Sequence, residues 1–121
     1  MKVINTLKFS LFLIVITSGC AVFLSQLEVA SSKYKQNRDY DSLTTIYEHI
    51  HEGIAKTKIE ELLGEPDYSP IDGLYYYSSN KSTYSEFQNK DVPVGLIVDY
   101  RNSEGIPTEK LTKYLLGPIG E

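Results

Sequence analysis

An uncharged and mostly apolar stretch near the N-terminus constrains this chain more than any other feature of its sequence. Phe9 to Leu27 covers nineteen residues without a charge, thirteen of them apolar, and Lys2 and Lys8 precede it. A secretory leader needs an apolar run of about 7–15 residues, and a membrane-spanning helix needs about 20. The stretch therefore belongs in a membrane, and residues 1–30 are interpreted as a leader or a membrane anchor.

The residues around the single cysteine leave three fates open for this segment. Thr17-Ser18-Gly19 places small residues directly before Cys20. This is similar to the lipobox of bacterial lipoproteins, in which the leader is cut before a cysteine that carries a diacylglycerol. Apolar residues continue after Cys20, which favours an uncleaved anchor, and Gly19-Cys20-Ala21 also fits ordinary cleavage at a small-x-small site. We predict lipidation of Cys20 and a folded part facing the cell envelope, on the outer or the inner membrane.

The rest of the chain is acidic and fits one small domain. The 121 residues carry 12 Lys and Arg against 16 Asp and Glu, and without Lys2 and Lys8 the balance is 10 − 16 = −6. An acidic surface repels phosphate backbones, so no nucleic-acid partner is expected. A lone cysteine excludes a disulfide framework and a cysteine zinc cluster. Residues 31–41 are polar and are interpreted as a tether, and residues 42–121 are interpreted as the folded domain.

The first helix of the folded domain is predicted from the spacing of its apolar residues. Asp41 or Ser42 is available as its N-cap, and Gly53 follows its end. Apolar residues at i, i+3, i+4 and i+7 form one stripe of a helix. Here that stripe consists of Leu43, Ile46, Tyr47 and Ile50.

The second helix is predicted from its start and end signals. Thr57 and Glu60 have the spacing of a capping box, and Gly64 followed by Pro66 is typical of a helix end. Its apolar face consists of Ile59, Leu62 and Leu63. A helix of under three turns does not persist without packing, so we expect this face to dock on a sheet.

The C-terminal half predicts strands. Leu74–Ser78 and Val94–Arg101 are rich in aromatic and β-branched residues, and residues 102–105 carry a hairpin signal. Pro107 limits any returning strand to the edge of the sheet. The other segments are predicted as a turn at residues 67–73, a long loop at residues 79–91 and a last helix with Leu111, Tyr114 and Leu115 on its apolar face. Together these elements predict an α+β fold, with two N-terminal helices packed on a small antiparallel sheet.

The order of these elements resembles the BamE family, also called SmpA/OmlA, of small outer-membrane lipoproteins. The resemblance covers about residues 43–105. It implies two helices packed on a three-stranded antiparallel sheet, a β-lactamase-inhibitor-protein-like fold, and a non-enzymatic role in the machine that inserts β-barrels. The matching residues are Gly53, Ile59, Leu62, Leu63, Gly64 and Pro66, then Tyr75 to Tyr77, and Val94 to Tyr100 leading to Gly105.

One short cluster carries residues suited to acid–base or metal chemistry. His49 and His51 lie between Glu48 and Glu52, but on a helix two residues at i and i+2 point about 200° apart, so they do not share one ion. The folded part contains no nucleophile elbow, no Gly-rich phosphate loop and no cysteine. We therefore expect no cofactor, no metal and no enzymatic activity. The alternative is a small envelope enzyme or metal-binding protein that uses His49 or His51.

Tyrosines are the candidate binding residues. Tyr75, Tyr76 and Tyr77 are consecutive in a predicted strand, and Tyr84 lies in the predicted loop that follows. Successive side chains of a strand point to opposite faces, so at least one of the three rings lies outside the core. Tyrosine offers a large contact area at a low entropy cost. The sequence thus predicts a membrane-tethered, non-enzymatic module that binds or scaffolds a partner protein through these four side chains.

Overall fold

A computed structural model of the chain describes residues 26–119, which form three helices and one four-stranded antiparallel sheet. The predicted α+β class and the antiparallel sheet are confirmed. Cys20 and nearly all of the predicted membrane segment lie outside the described residues. The helices are α1 over residues 26–37, α2 over Tyr40–Tyr47 and α3 over Lys56–Leu63. The strands are β1 over Tyr68–Ile71, β2 over Leu74–Ser85, β3 over Lys90–Asp99 and β4 over Lys113–Pro118. They lie in the sheet in the order β1-β2-β3-β4.

The core lies between the helices and one face of the sheet, which we call the inner face. Alternate residues of the paired strands point to this side, with Tyr77 opposite Leu96 and Tyr75 opposite Val98. The helices cover them with buried apolar side chains. Burial of each leucine or isoleucine side chain contributes about 1.5–3 kcal/mol relative to leaving it exposed. The helical members of the core cluster are Ala30, Tyr34, Leu43, Ile46, Ile59, Leu62 and Leu63.

The segment predicted as a polar tether is instead largely helical, because residues 26–37 form α1. Tyr34 is 0% exposed, and its hydroxyl donates a hydrogen bond to the Ser78 carbonyl at 2.6 Å. The Ser31 hydroxyl donates to the Leu62 carbonyl at 2.7 Å. Most residues of α1 are polar and exposed, and only a few apolar residues form its buried face. The overall composition of the segment therefore does not reveal the helix.

The N-cap of α2 is Asp39, not the predicted Asp41 or Ser42. The Asp39 carboxylate accepts hydrogen bonds from both the backbone N–H of Ser42, at 3.0 Å, and its hydroxyl, at 2.5 Å. These bonds hold the pKa of Asp39 below its usual value. The helix ends at Tyr47, so Gly53 belongs to a later turn.

Helix α3 confirms the predicted apolar face, since Ile59, Leu62 and Leu63 are all buried. Gly64 ends the helix, as predicted, with a φ of +78° that favours glycine. The predicted capping box is wrong.

A different contact satisfies the start of α3. The N-cap is Ala55, which makes no side-chain cap hydrogen bond in the described structure, and the helix begins at Lys56. Ala55 forms a β-bridge with Lys110, and the Lys56 N–H donates to the Glu109 carbonyl at 2.8 Å. This distant segment supplies the acceptor that a capping side chain otherwise provides.

The sheet is larger than predicted. Strand β1 lies within the predicted turn at residues 67–73, and β2 and β3 extend through most of the predicted loop at residues 79–91, leaving a tight turn at residues 86–89. The predicted last helix is wrong, because Tyr114 and Leu115 belong to β4 and Leu111 lies before that strand, outside any helix. In β4, Tyr114 pairs with Val98 and Leu116 pairs with Leu96, so the apolar residues fit the alternation of a strand.

Candidate binding surfaces on the two faces of the sheet

The structure separates the four predicted binding tyrosines. Tyr75 and Tyr77 lie on the inner face, where Tyr77 is 1% exposed, whereas Tyr76 lies on the opposite face. Tyr84 is 57% exposed near the end of the β2–β3 hairpin, and its hydroxyl donates to the Asn89 side chain. The predicted alternation of the three consecutive tyrosines is therefore found, but the four side chains do not form one site.

Four large side chains cross the face of the sheet that points away from the helices. The strand register places Tyr68 opposite Tyr76, Tyr76 opposite Ile97, and Ile97 opposite Leu115. We call these four residues the outer row. Tyr68 and Leu115 are 56% and 60% exposed, and the Tyr68 and Tyr76 rings lie 5.8 Å apart between centroids. None of the helices in the described part of the chain contributes to this face.

Two shallow grooves meet at Ile97 on this face. The first has a volume of about 430 Å³ and includes Leu74 and Leu115 in its lining. The second has a volume of about 350 Å³ and includes Tyr76, Phe87 and Ile119 in its lining. A side chain at Gly95 would overlap Ile119 and the Tyr77 carbonyl, so glycine is required for the close approach of Ile119. The first groove extends the apolar surface on one side of the outer row, whereas the second, which Ser85 and Gln88 also line, mixes polar and apolar groups.

Opposite charges flank one side of the outer row. The Arg101 guanidinium donates two hydrogen bonds to the Asp99 carboxylate, at 2.8 and 2.7 Å. This bonding holds the pKa of Asp99 below its usual value. Lys113 is the cross-strand neighbour of Asp99 on β4 and lines the larger groove with it. The apolar row is thus bordered by fixed charges of both signs.

A cleft of about 390 Å³ lies on the other side of the sheet, between α3 and the strands. We call it the inner cleft. The Lys56 ammonium lies 3.4 Å from the Tyr75 hydroxyl, 5.0 Å from the centroid of the Tyr75 ring and 5.5 Å from that of Tyr100. The residues that line the cleft are Lys56, Glu60, Gly64, Glu65, Pro66, Tyr75, Tyr77 and Tyr100.

Two buried tyrosines in the inner cleft differ in their hydrogen bonding. The Tyr77 hydroxyl donates to the Gly64 carbonyl at 3.1 Å. The Tyr100 hydroxyl is buried and has no hydrogen-bond partner among the described residues, although the residue is only 1% exposed. Burial raises the pKa of both phenols, so both stay protonated at neutral pH. An unpartnered buried hydroxyl is rare and costly in proteins.

No sequence pattern marks Lys56, Tyr100 or Ile97 as a site residue. Tyr100 continues the alternation of Leu96 and Val98 on the inner face, and this alternation is a signal that identifies it as a core residue. Its missing partner is visible only in three dimensions. Ile97 fits an ordinary strand, and only the placement of α1, α2 and α3 shows that the described helices leave its face open.

The histidine cluster does not form a metal site in the described structure. Nδ1 of His49 lies 2.8 Å from the Thr45 carbonyl oxygen, and Nδ1 of His51 lies 3.0 Å from the Glu52 carbonyl oxygen. Within residues 26–119, no three His, Cys, Asp or Glu side chains are grouped so that they could hold a metal ion. The predicted lipidation site, Cys20, lies outside this range.

Comparisons with known proteins leave the function to be argued from these two surfaces. No family model, no curated protein and no solved structure matches the chain. Over residues 26–119, the helices are too short or too polar to cross a membrane.

Proposed function

We propose that this chain is a non-enzymatic, membrane-tethered module of a bacterial cell envelope, and that it binds a partner protein on the outer face of its sheet. The observation that carries the proposal is the outer row of Tyr68, Tyr76, Ile97 and Leu115, which crosses all four strands on a face that the described helices leave open. The partner surface that fits is apolar at its centre and carries charge along one side, opposite Asp99, Arg101 and Lys113.

The composition of the outer face supports protein binding. Large contiguous apolar patches are uncommon on monomeric soluble proteins and usually mark interaction sites. Tyrosine and arginine are both enriched among the residues that contribute most to protein interfaces. Here two tyrosines share the row with two aliphatic side chains, and the Asp99–Arg101 pair lies beside it. This is the pattern of an apolar centre with a polar rim.

The N-terminal segment supports the tether. Its uncharged stretch and the small residues before Cys20 fit insertion into a membrane and lipidation of that cysteine. Anchoring raises the local concentration of the domain at the membrane surface, so that a weak interface is occupied. An exposed row of modest size is sufficient under these conditions.

Kinship with the BamE family is part of the proposal. Leu62 and Leu63 dock α3 on the sheet, Gly64 ends that helix, and aromatic residues follow on β2. These features support a β-lactamase-inhibitor-protein-like arrangement of α2, α3 and strands β2 to β4. Helix α1 and strand β1 are additions to the arrangement that the family resemblance implies. On this proposal the partner belongs to the outer-membrane assembly machinery.

Site-specific photo-crosslinking in intact cells tests the proposal. A benzophenone amino acid is introduced at Leu115, on the outer row, and separately at Thr57, which is exposed on α3. We expect a crosslinked protein of defined mass from the Leu115 position only. The substitution Ile97→Asp, combined with the Leu115 probe, removes this product because it places a charge at the centre of the apolar row.

Two results contradict the proposal. The first is equal crosslinking from both positions, which indicates random collision. The second is the same crosslinked product in the Ile97→Asp protein, with the fold retained. If the crosslinked product contains only two copies of this chain, the outer face mediates self-association and does not bind a different protein.

A further inference from the structure

We propose that the inner cleft binds a small zwitterion, a molecule with one carboxylate and one ammonium group and the size of a free amino acid or dipeptide. This site lies on the opposite side of the sheet from the outer row and does not depend on the function proposed above. Its residues of interest are Lys56 and Glu60 on α3 and Tyr100, which follows β3.

The charges of the cleft define the ligand. Lys56 and Glu60 are one helical turn apart and line the same cleft, but they form no ion pair with each other within 4 Å. Glu65 adds a second carboxylate to the lining. A ligand carboxylate complements the Lys56 ammonium, and a ligand ammonium complements Glu60 and Glu65. A ligand with only one of these groups leaves part of the cleft uncompensated.

The Tyr100 hydroxyl is the second, independent observation. It is buried without a hydrogen-bond partner among the described residues, and the Lys56 side chain lies over its ring. A ligand carboxylate that draws the Lys56 ammonium off the rings of Tyr75 and Tyr100 then accepts a hydrogen bond from the Tyr100 hydroxyl. The cost of an unsatisfied phenol in the empty cleft is offset when the ligand binds.

The size and walls of the cleft limit the ligand further. A volume of about 390 Å³ is at the low end of small-molecule sites. The Pro66 ring and the faces of the tyrosine rings supply an apolar wall suited to a short aliphatic side chain. These dimensions exclude a folded peptide and fit one or two amino-acid residues.

Isothermal titration calorimetry on the full chain in detergent micelles tests the site with three matched probes. L-Alanyl-L-alanine carries both charges, N-propionyl-L-alanine has hydrogen in place of the ammonium group, and L-alanine ethylamide has hydrogen in place of the carboxylate. We expect the dipeptide to bind and each analogue to bind at least about tenfold more weakly, since a lost charge-assisted hydrogen bond costs about that factor.

Three variants connect binding to the named residues. We expect Lys56→Gln and Tyr100→Phe each to weaken dipeptide binding at least about tenfold, whereas Tyr40→Phe, at the start of α2 and outside the lining of the cleft, leaves it unchanged. Tyr100→Phe removes an unpartnered hydroxyl and is therefore expected to keep or raise the Tm. If the hydroxyl served the fold instead, Tyr100→Phe would lower the Tm.

Three binding results overturn the inference: no heat of binding with the dipeptide, equal binding of all three probes, or a Tyr100→Phe protein that binds the dipeptide as the parent does. A Tm lowered by several degrees in Tyr100→Phe also overturns it, because the hydroxyl is then used by the fold. Loss of crosslinking at Leu115 with intact dipeptide binding contradicts only the function proposed for the outer face.

Discussion

Tyr76 and Tyr77 are neighbours on β2, yet they occupy very different surroundings. Tyr77 is 1% exposed and donates a hydrogen bond to the Gly64 carbonyl at the end of α3, whereas Tyr76 lies on the open face against Tyr68. Within residues 26–119, three helices cover the inner face, and none of them lies above the apolar row of the outer face. The comparison teaches that residue type alone does not separate a core from a binding surface. The placement of the helices separates them.

Truncating one leucine on each side of the sheet gives the largest difference between the two faces. Leu63→Ala is expected to lower the free energy of unfolding by about 2–5 kcal/mol, because Leu63 is fully buried between α3 and the sheet. The matched change Leu115→Ala is expected to alter it by no more than about 0.5 kcal/mol, because Leu115 is 60% exposed. Urea denaturation measures both. Similar losses in the two proteins contradict the distinction between the faces.

Removing one hydroxyl from each of the neighbouring tyrosines gives a smaller difference. Tyr77→Phe is expected to lower the free energy of unfolding by about 0.5–1.5 kcal/mol, because the Gly64 carbonyl loses its donor. Tyr76→Phe is expected to leave stability within about 0.5 kcal/mol of the parent. Thermal and urea unfolding of both proteins provide the measurement. A Tyr77→Phe protein as stable as the parent shows that the hydrogen bond to Gly64 contributes nothing.

Acid pH gives the smallest expected effect and tests the boundary between α1 and α2. Asp39 has a lower pKa in the folded chain, because Ser42 donates hydrogen bonds to its carboxylate. Such a group stabilises the fold above its unfolded pKa of about 3.9, and this contribution is lost as the pH falls through the lower, folded pKa. The Tm difference between the parent and Asp39→Ala is therefore expected to be constant near neutral pH and to shrink below about pH 4.

Asp39→Asn is the matched control for this titration. Asparagine is also a favourable N-cap but does not titrate, so we expect this variant to keep most of the parent's Tm at neutral pH. A Tm difference between the parent and Asp39→Ala that stays the same down to pH 2 shows that the carboxylate makes no special contribution to the cap.

The parts of the fold that sequence reasoning predicted are those governed by local spacing. The apolar face of α3, its end at Gly64 and the alternation of Tyr75 to Tyr77 follow from the periods of a helix and a strand. The N-terminus of α3 was mispredicted because the acceptor for the Lys56 N–H is Glu109, more than fifty residues away. Strand β4 was also mispredicted because of a distant contact. Its pairing with β3 overrides the apparent helical spacing of Leu111, Tyr114 and Leu115.

The candidate sites were less accessible to sequence reasoning than the fold. Tyr76 was identified as a binding residue, but its row partners Tyr68, Ile97 and Leu115 come from three other strands, whose register no local pattern reveals. In α1, the buried Tyr34 was hidden within a polar segment. The inner cleft depends on a hydroxyl without a partner, which is a property of the packed structure and not of any motif.

Cysteine accessibility measures most directly whether the outer row is covered in its native setting. Leu115→Cys, on the row, and Glu61→Cys, exposed on α3, are treated with a maleimide reagent in native membranes and again after purification, and the modified residue is located by peptide mapping. We predict that position 115 is protected in membranes and modified after purification, while position 61 is modified in both. Equal modification of position 115 under both conditions would contradict the claim that this face binds a partner.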